Sequence, residues 1–363
     1  SPRIDVKQNP LYEDTDLAYL DTHYYGGIKK YQWVAIPLAL HGVIVRKTGE
    51  KVIINIGEDE NDPVFCISDL LVHLAQEQMA KNAKEVVEGE ALNLIVGGRP
   101  LEGEEKDAVK ANVLKLLADK YGVEEEDFLS AELEIVPAGK ARDMGFDRSM
   151  ILAYGHDDRV CAYPSMMAVL DYEGTPDYTL CCIVTDKEEI GSVGATGMAS
   201  HYLENTVAEL YACTADYCEL AVRRCLRNSR MLSSDVSAGY DPNFASAFEK
   251  KNSAFLGRGI CFNKFTGSRG KSGSNDANPE FMASLRKIMD DAGVAFQTAE
   301  LGRVDLGGGG TIAYLCAKYG MNVIDSGIAV LSMHAPYEII SKVDLYEGYR
   351  CYCAFLKGAK PVD

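Results

Sequence analysis

Beyond Met150 the chain alternates short apolar runs, at 178–184, 207–212 and 322–324, with stretches of helical spacing at Pro279–Ala292 and 311–319. Runs that are apolar throughout suit strands covered on both faces. The alternation therefore predicts an α/β fold, a mixed sheet flanked by helices. At 363 residues the chain exceeds a usual single domain, so the remainder must form a second domain or a large insertion.

Residues 43–56 carry two β-branched runs around the turn 47–51, with Gly49 at its centre, which is the pattern of a hairpin. Residues 68–83 have helical spacing with Ser68 as N-cap, 105–121 form another helix ending near Gly122, and 131–136 alternates like a strand. Together 34–142 reads as an α+β unit. No fixed-period repeat or low-complexity linker breaks the chain. We therefore expect 34–142 to be an insertion in a discontinuous domain made of 1–33 and 143–363.

Composition excludes several classes. With 37 basic and 54 acidic residues the formal net charge is −17, and no basic stripe offsets it, so a phosphate backbone would be repelled and nucleic acid is not an expected partner. No apolar run approaches 18 residues, and the chain opens Ser1-Pro2-Arg3-Ile4-Asp5 without an apolar leader, so we expect no membrane span. The eleven cysteines are an odd number without paired C-x-x-C spacing, which suits reduced thiols in the cytoplasm better than a disulfide framework. Cys181 and Cys182, within the run 178–184, read as small core residues.

Four segments after residue 150 end an apolar run with an acid or a histidine. They are Gly155-His156-Asp157-Asp158-Arg159, Asp186-Lys187-Glu188-Glu189-Ile190-Gly191-Ser192, Ser233-Ser234-Asp235 and Ser332-Met333-His334. Ligands of open α/β sheets bind outside the carboxyl ends of the strands, where such residues converge, and carboxylates with one histidine suit a metal. Neighbours in extended backbone point opposite ways, so Glu188 and Glu189 can divide labour between metal and water. The plainer alternative sets both acids against a helix dipole. Gly191, Gly194 and Gly197 favour the first by suggesting closely packed backbone. Asp157 alone could be a helix N-cap, Asp235 alone a turn residue with Ser233 and Ser234, and His334 alone a core histidine.

In the order of the chain, Ser1 to Leu11, Tyr24-Tyr25-Gly26-Gly27, the Asp157 segment, Asp186 to Ser192, Asp235 and Ser332-Met333-His334 resemble the successive motifs of the aspartyl aminopeptidases. The related glutamyl aminopeptidases match the opening segment less well. The resemblance implies a di-zinc aminopeptidase fold with 34–142 as its dimerisation domain, and a cytoplasmic enzyme that removes N-terminal residues, acidic ones by preference, from peptides. By it, Asp157 bridges two zinc ions, Glu189 and His334 complete one site, Asp235 serves the other, and Glu188 is the general base. Manganese or cobalt could replace zinc.

It further implies that His73 reaches a neighbouring subunit's active site and that dimers join into a tetrahedral dodecamer. Lys264, Arg269 or Lys271 could pair with an acidic substrate side chain, although solvated loop charges are equally plausible at each. The glycine run 307–310 lacks the context of a phosphate cradle and reads as a mobile or closely packed site wall. The family motif reads His-x-Asp-Ser-Pro-Arg, and this sequence starts at its Ser. Other readings are a related amidohydrolase or deacylase, or a catalytically impaired shell or cargo protein.

Overall fold

A computed structural model describes residues 1–360. By its contacts the chain divides into two units, Ser1–Ala141 with His334–Tyr337, and Arg142–Met333 with Glu338 onward. The division expected from sequence was functional, with 1–33 assigned beside 143–363. The contact division is a different criterion, and it places 1–33 with 34–141.

In the first unit, strands β1 (Arg3–Asp14), β2 (Leu17–Tyr25), β3 (Leu38–Val45), β4 (Lys51–Ile56), β5 (Leu94–Gly97) and β6 (Ala131–Pro137) form one antiparallel sheet in the order β4-β3-β6-β1-β2-β5. The β3–β4 hairpin is where its sequence signals put it. Ile44, Ile54 and Ile56 are buried while Ile53 faces out, and Gly49, at φ 85°, donates its N–H to Arg46 O at 2.8 Å.

Helix α1 (Gln76–Met79) is a single turn, not the helix expected over 68–83. Leu70, Leu71, Val72 and Leu74 are all exposed, so no packed face supports a longer helix, and short helices without packing are marginal. Helix α2 (Ala108–Tyr121) ends at Gly122 in the left-handed conformation, as its sequence indicates. Its start is fixed from a distance, because the Glu13 carboxylate of β1 accepts the N–H groups of Val109 and Lys110 at 2.9 Å.

The second unit runs through β7 (Arg142–Met144), β8 (Met150–Ala153), α3 (His156–Leu170), α4 (Tyr202–Ala212), α5 (Glu219–Asn228), β9 (Arg230–Ser234), β10 (Ser237–Ala238) and β11 (Ile260–Asn263). There follow α6 (Pro279–Ala292), β12 (Phe296–Thr298), α7 (Ala313–Ala317), β13 (Asn322–Gly327), β14 (Ala329–Val330), β15 (Glu338–Ser341) and α8 (Lys342–Gly358). Its main sheet, β12-β11-β13-β9, is mixed: β13 runs parallel to β9 and antiparallel to β11. Strands β15-β8-β7 form a second sheet and β10-β14 a third.

Helices cover both faces of the main sheet, as the alternation predicts. Ile260, Phe262 and Ile324 pack against Phe281, Leu285 and Met289 of α6 and Cys351 and Tyr352 of α8. On the other face Met231 and Val323 pack against Met198 and, from α7, Ala313 and Cys316. Helix α6 follows its signals, with Pro279 at its first position and Gly293 left-handed at its end.

Two apolar runs are not strands. Residues 207–212 lie in α4, where Leu203 and Val207 recur at helical spacing. Residues 178–184 form no strand, Cys181 and Val184 are exposed and Cys182 is half-buried, which corrects the core reading of the two thiols. All eleven cysteines are free. Among the described residues no helix is long and apolar enough to cross a membrane.

Candidate metal centre

Strand β8 delivers its chain through Gly155, at φ 75°, into an irregular start of α3 where Asp157 and Asp158 depart from helical geometry and their shared peptide is cis. The N-cap position of α3 falls on Gly155 rather than on Asp157. The backbone N–H of Asp157 donates to Glu338 Oε2 at 2.9 Å. Glu338 is 1% exposed on β15 and pairs in register with Ala153 of β8, so the strand pairing sets Asp157's position.

Glu188 and Glu189 lie in a tight 3₁₀ turn rather than in extended backbone. Lys187, Gly191 and Ser192 flank them with positive φ, and Ser192 N–H donates to Lys187 O at 2.7 Å. The loop is closed by a bridge between Asp186 and Gly197, where a Cβ would lie 2.2 Å from Ser192 O. Close packing therefore accounts for Gly197, whereas Gly191 and Gly194 supply positive φ.

Asp235 follows β9 directly. Its N–H donates to Ser326 O at 3.0 Å, and its carboxylate accepts Val236 N–H at 2.8 Å. Gly327 of β13 backs onto it so closely that a Cβ there would fall 1.5 Å from Asp235 O. Ser233 and Ser234 are strand residues, not members of a turn. His334, after β14, has φ 66°, sparsely populated for a histidine, and its Nδ1 is 2.9 Å from Gly27 O. With Nδ1 donating to that carbonyl, Nε2 carries the ring's lone pair.

A ligand atom of Glu189 lies within 4.8 Å of one of Asp157, and one ligand atom from each of Asp157, Asp158 and Asp235 lies within 4.8 Å of the others. Asp157 belongs to both groups. Burial holds the Asp158 carboxyl well above the usual carboxylate range, with the Asp157 charge adding to it. Asp235 is raised likewise, by burial first and then by the charges of Asp158, Asp157 and Glu188. Asp158 Oδ1 is buried without a hydrogen-bond partner. Like charges in a dry setting cannot all stay ionised unless a cation sits among them, so these residues fit a divalent metal ion. Carboxylate oxygens are among the donors that zinc accepts.

Glu188 lies outside both groups, yet its charge reaches Asp158 and Asp235. His73 is exposed in the turn before α1 and belongs to neither group. Lys264 pairs with Asp276, Lys271 approaches the same carboxylate at 3.9 Å, and Arg269 is exposed in a left-handed turn. The sequence reading missed Asp158 and Glu338. A vicinal acid pair signals the first; an acid opening the apolar strand β15 is the only hint of the second.

Residues 1–356 match the aminopeptidase I zinc metalloproteases, peptidase family M18. The chain belongs to this family. A probable M18 family aminopeptidase 1 of Clostridium acetobutylicum is 63% identical over 98% of this chain and 77% of its own length. The aminopeptidase I crystal structure from that organism matches with a TM-score of 0.92 at 61% identity, covering 98% of this chain and 77% of that one. The M18 aminopeptidase of Thermotoga maritima gives 0.95 at 46% identity, covering 99% and 79%. A yeast mApe1 dodecamer shares the fold at 0.75, with 21% identity over 98% and 77%. The M18 chain described here is accordingly a metal-dependent aminopeptidase, a hydrolase of a zinc family with a mixed α/β fold, and the deacylase and inactive-shell readings are not favoured.

Proposed function

We propose that the centre holds two zinc ions bridged by Asp157, with Glu189 and His334 completing one site and Asp235 serving the other. The observation that carries this reading is that Asp157 contributes to both donor groups. Asp158 belongs to the same group as Asp235 and offers a further oxygen donor. Zinc, when bound, supplies Lewis acidity and lowers the pKa of water. Glu188, beside the second group and outside both, takes a proton from the attacking water as it adds to the peptide carbonyl, and passes it to the departing amine. The substrates are peptides, with acidic N-terminal residues preferred and Lys264, Arg269 or Lys271 as the cation that selects them. We assign the enzyme to the cytoplasm.

Residues 34–142 form the dimerisation part, and His73 acts in a neighbouring subunit's site. The exposed run Leu70, Leu71, Val72 and Leu74 beside it supports a surface that is covered on assembly. Dimers then join into a dodecamer, the assembly named for yeast mApe1, and we assign it tetrahedral symmetry.

Replacing Glu188 by Gln is expected to lower turnover roughly a hundredfold or more while zinc content stays unchanged. Turnover above about a tenth of wild type removes Glu188 from the role of base. For the assembly, His73→Ala and Glu188→Gln subunits, each nearly inactive, are mixed under subunit exchange. Activity returns if one site can combine both intact residues, and a fully active His73→Ala parent refutes action in trans.

A further inference from the structure

Asp325 is an acid that the centre does not use. It lies on β13, opposite Ser233 of β9 and Asn263 of β11, and is 3% exposed. A buried carboxylate is ordinarily compensated by a cation. Among the described residues no ion pair reaches this one. Two hydroxyls face it instead: Thr311 Oγ1 donates a short hydrogen bond to Oδ1, and Thr266 Oγ1 lies 3.5 Å from Oδ2.

Those threonines belong to two different glycine-rich loops. Thr266 is on 264–278, which joins β11 to α6, and Thr311 is on 299–312, which joins β12 to α7. The loops interlock, since Gly267 N–H donates to Gly309 O at 2.8 Å and a Cβ on Gly308 would fall 2.3 Å from Gly267 O. The glycine run is thus a closely packed wall. Asn275 Nδ2 ties the first loop back to Val323 O at 2.8 Å. The second loop adjoins the candidate centre, because Ile312 and Ala313 pack with Met198, the residue after the bridge that closes the Glu188–Glu189 loop.

We propose that Asp325 is a positioning residue, a buried latch that holds both glycine-rich loops in place as a wall of the peptide-binding cleft. The loops reach hydrophobic cores only near their ends, at Ala277, Ala299 and Ile312, and loops of this composition order between such anchors only where specific bonds fix them. The carboxylate accepts from both loops at once, which an alkyl side chain cannot do. The cleft part of the claim rests on the aminopeptidase reading above; the latch itself does not.

The test uses the intact, metal-loaded enzyme with a peptide substrate. Thr311→Val removes one donor without changing side-chain volume, and Thr311→Ser restores it. Asp325→Asn keeps one acceptor oxygen. The expected result is a KM raised about tenfold in Thr311→Val and Asp325→Asn, with kcat within about threefold of wild type, metal content unchanged, and near-complete recovery in Thr311→Ser. Hydrogen exchange should rise at 264–278 and 299–312 in Thr311→Val and not in Thr311→Ser. That readout is independent of turnover, so it tests the latch even if the chain shows no peptidase activity. Unchanged exchange in both loops, or kcat and metal content falling together while KM holds, overturns the proposal.

Discussion

Asp325 titrates where few carboxyls do. Burial is the largest cause, and it raises the group from the ordinary 3.8 to about 6 against hydrogen bonds from Thr311 and Thr266 that act the other way. The folded protein therefore binds this proton more tightly than the unfolded chain. Its contribution to stability is most favourable below about pH 4, declines as pH rises to about 6, and stays at its lowest above that. The decline is on the order of 3 kcal/mol at most. Asparagine does not titrate, so Asp325→Asn should be more stable than wild type near pH 8, with the advantage shrinking or reversing near pH 4 in urea unfolding followed by fluorescence. A stability difference that is the same at both pH values contradicts the buried-charge account. Gaining stability while KM worsens would mark Asp325 as a residue kept for function.

At the scale of elements, the readable parts of the sequence were those with local causes. Gly49 in the β3–β4 turn, Gly122 and Gly293 ending helices, and Pro279 opening α6 each sit where backbone sterics require them. The segment 68–83 has helical spacing, yet Leu70, Leu71, Val72, Leu74 and Met79 are exposed and only α1 forms. Residues 178–184 have strand composition but no strand beside them. Of the proposed centre, Asp157, Glu189, Asp235 and His334 could be named in advance because each ends an apolar run within a recognisable motif. Glu338 and Asp325 were not, because their roles arise from the pairing of β15 with β8 and from two loops meeting at β13. Gly327 belongs with these. It lies against Asp235 only because β13 and β9 are adjacent in register. Gly327→Ala must displace that backbone, so it should lower metal content and activity together while the far-UV circular dichroism stays native. Full metal occupancy in Gly327→Ala would show that Asp235 does not depend on that contact.

For the molecule as a whole, a net charge of −17 coexists with a buried cluster of acids whose charges oppose one another, and a bound cation reconciles the two. Metal binding to the folded state alone also stabilises it by mass action, so chelation should lower Tm and zinc restore it. The central claim is that Asp157 is shared between two ions. Its most direct test is zinc stoichiometry by elemental analysis in the wild-type protein, Glu189→Ala and Asp157→Asn, each confirmed as folded. The account predicts about two ions per chain, about one, and close to none, respectively. Equal zinc in Asp157→Asn and wild type would contradict it.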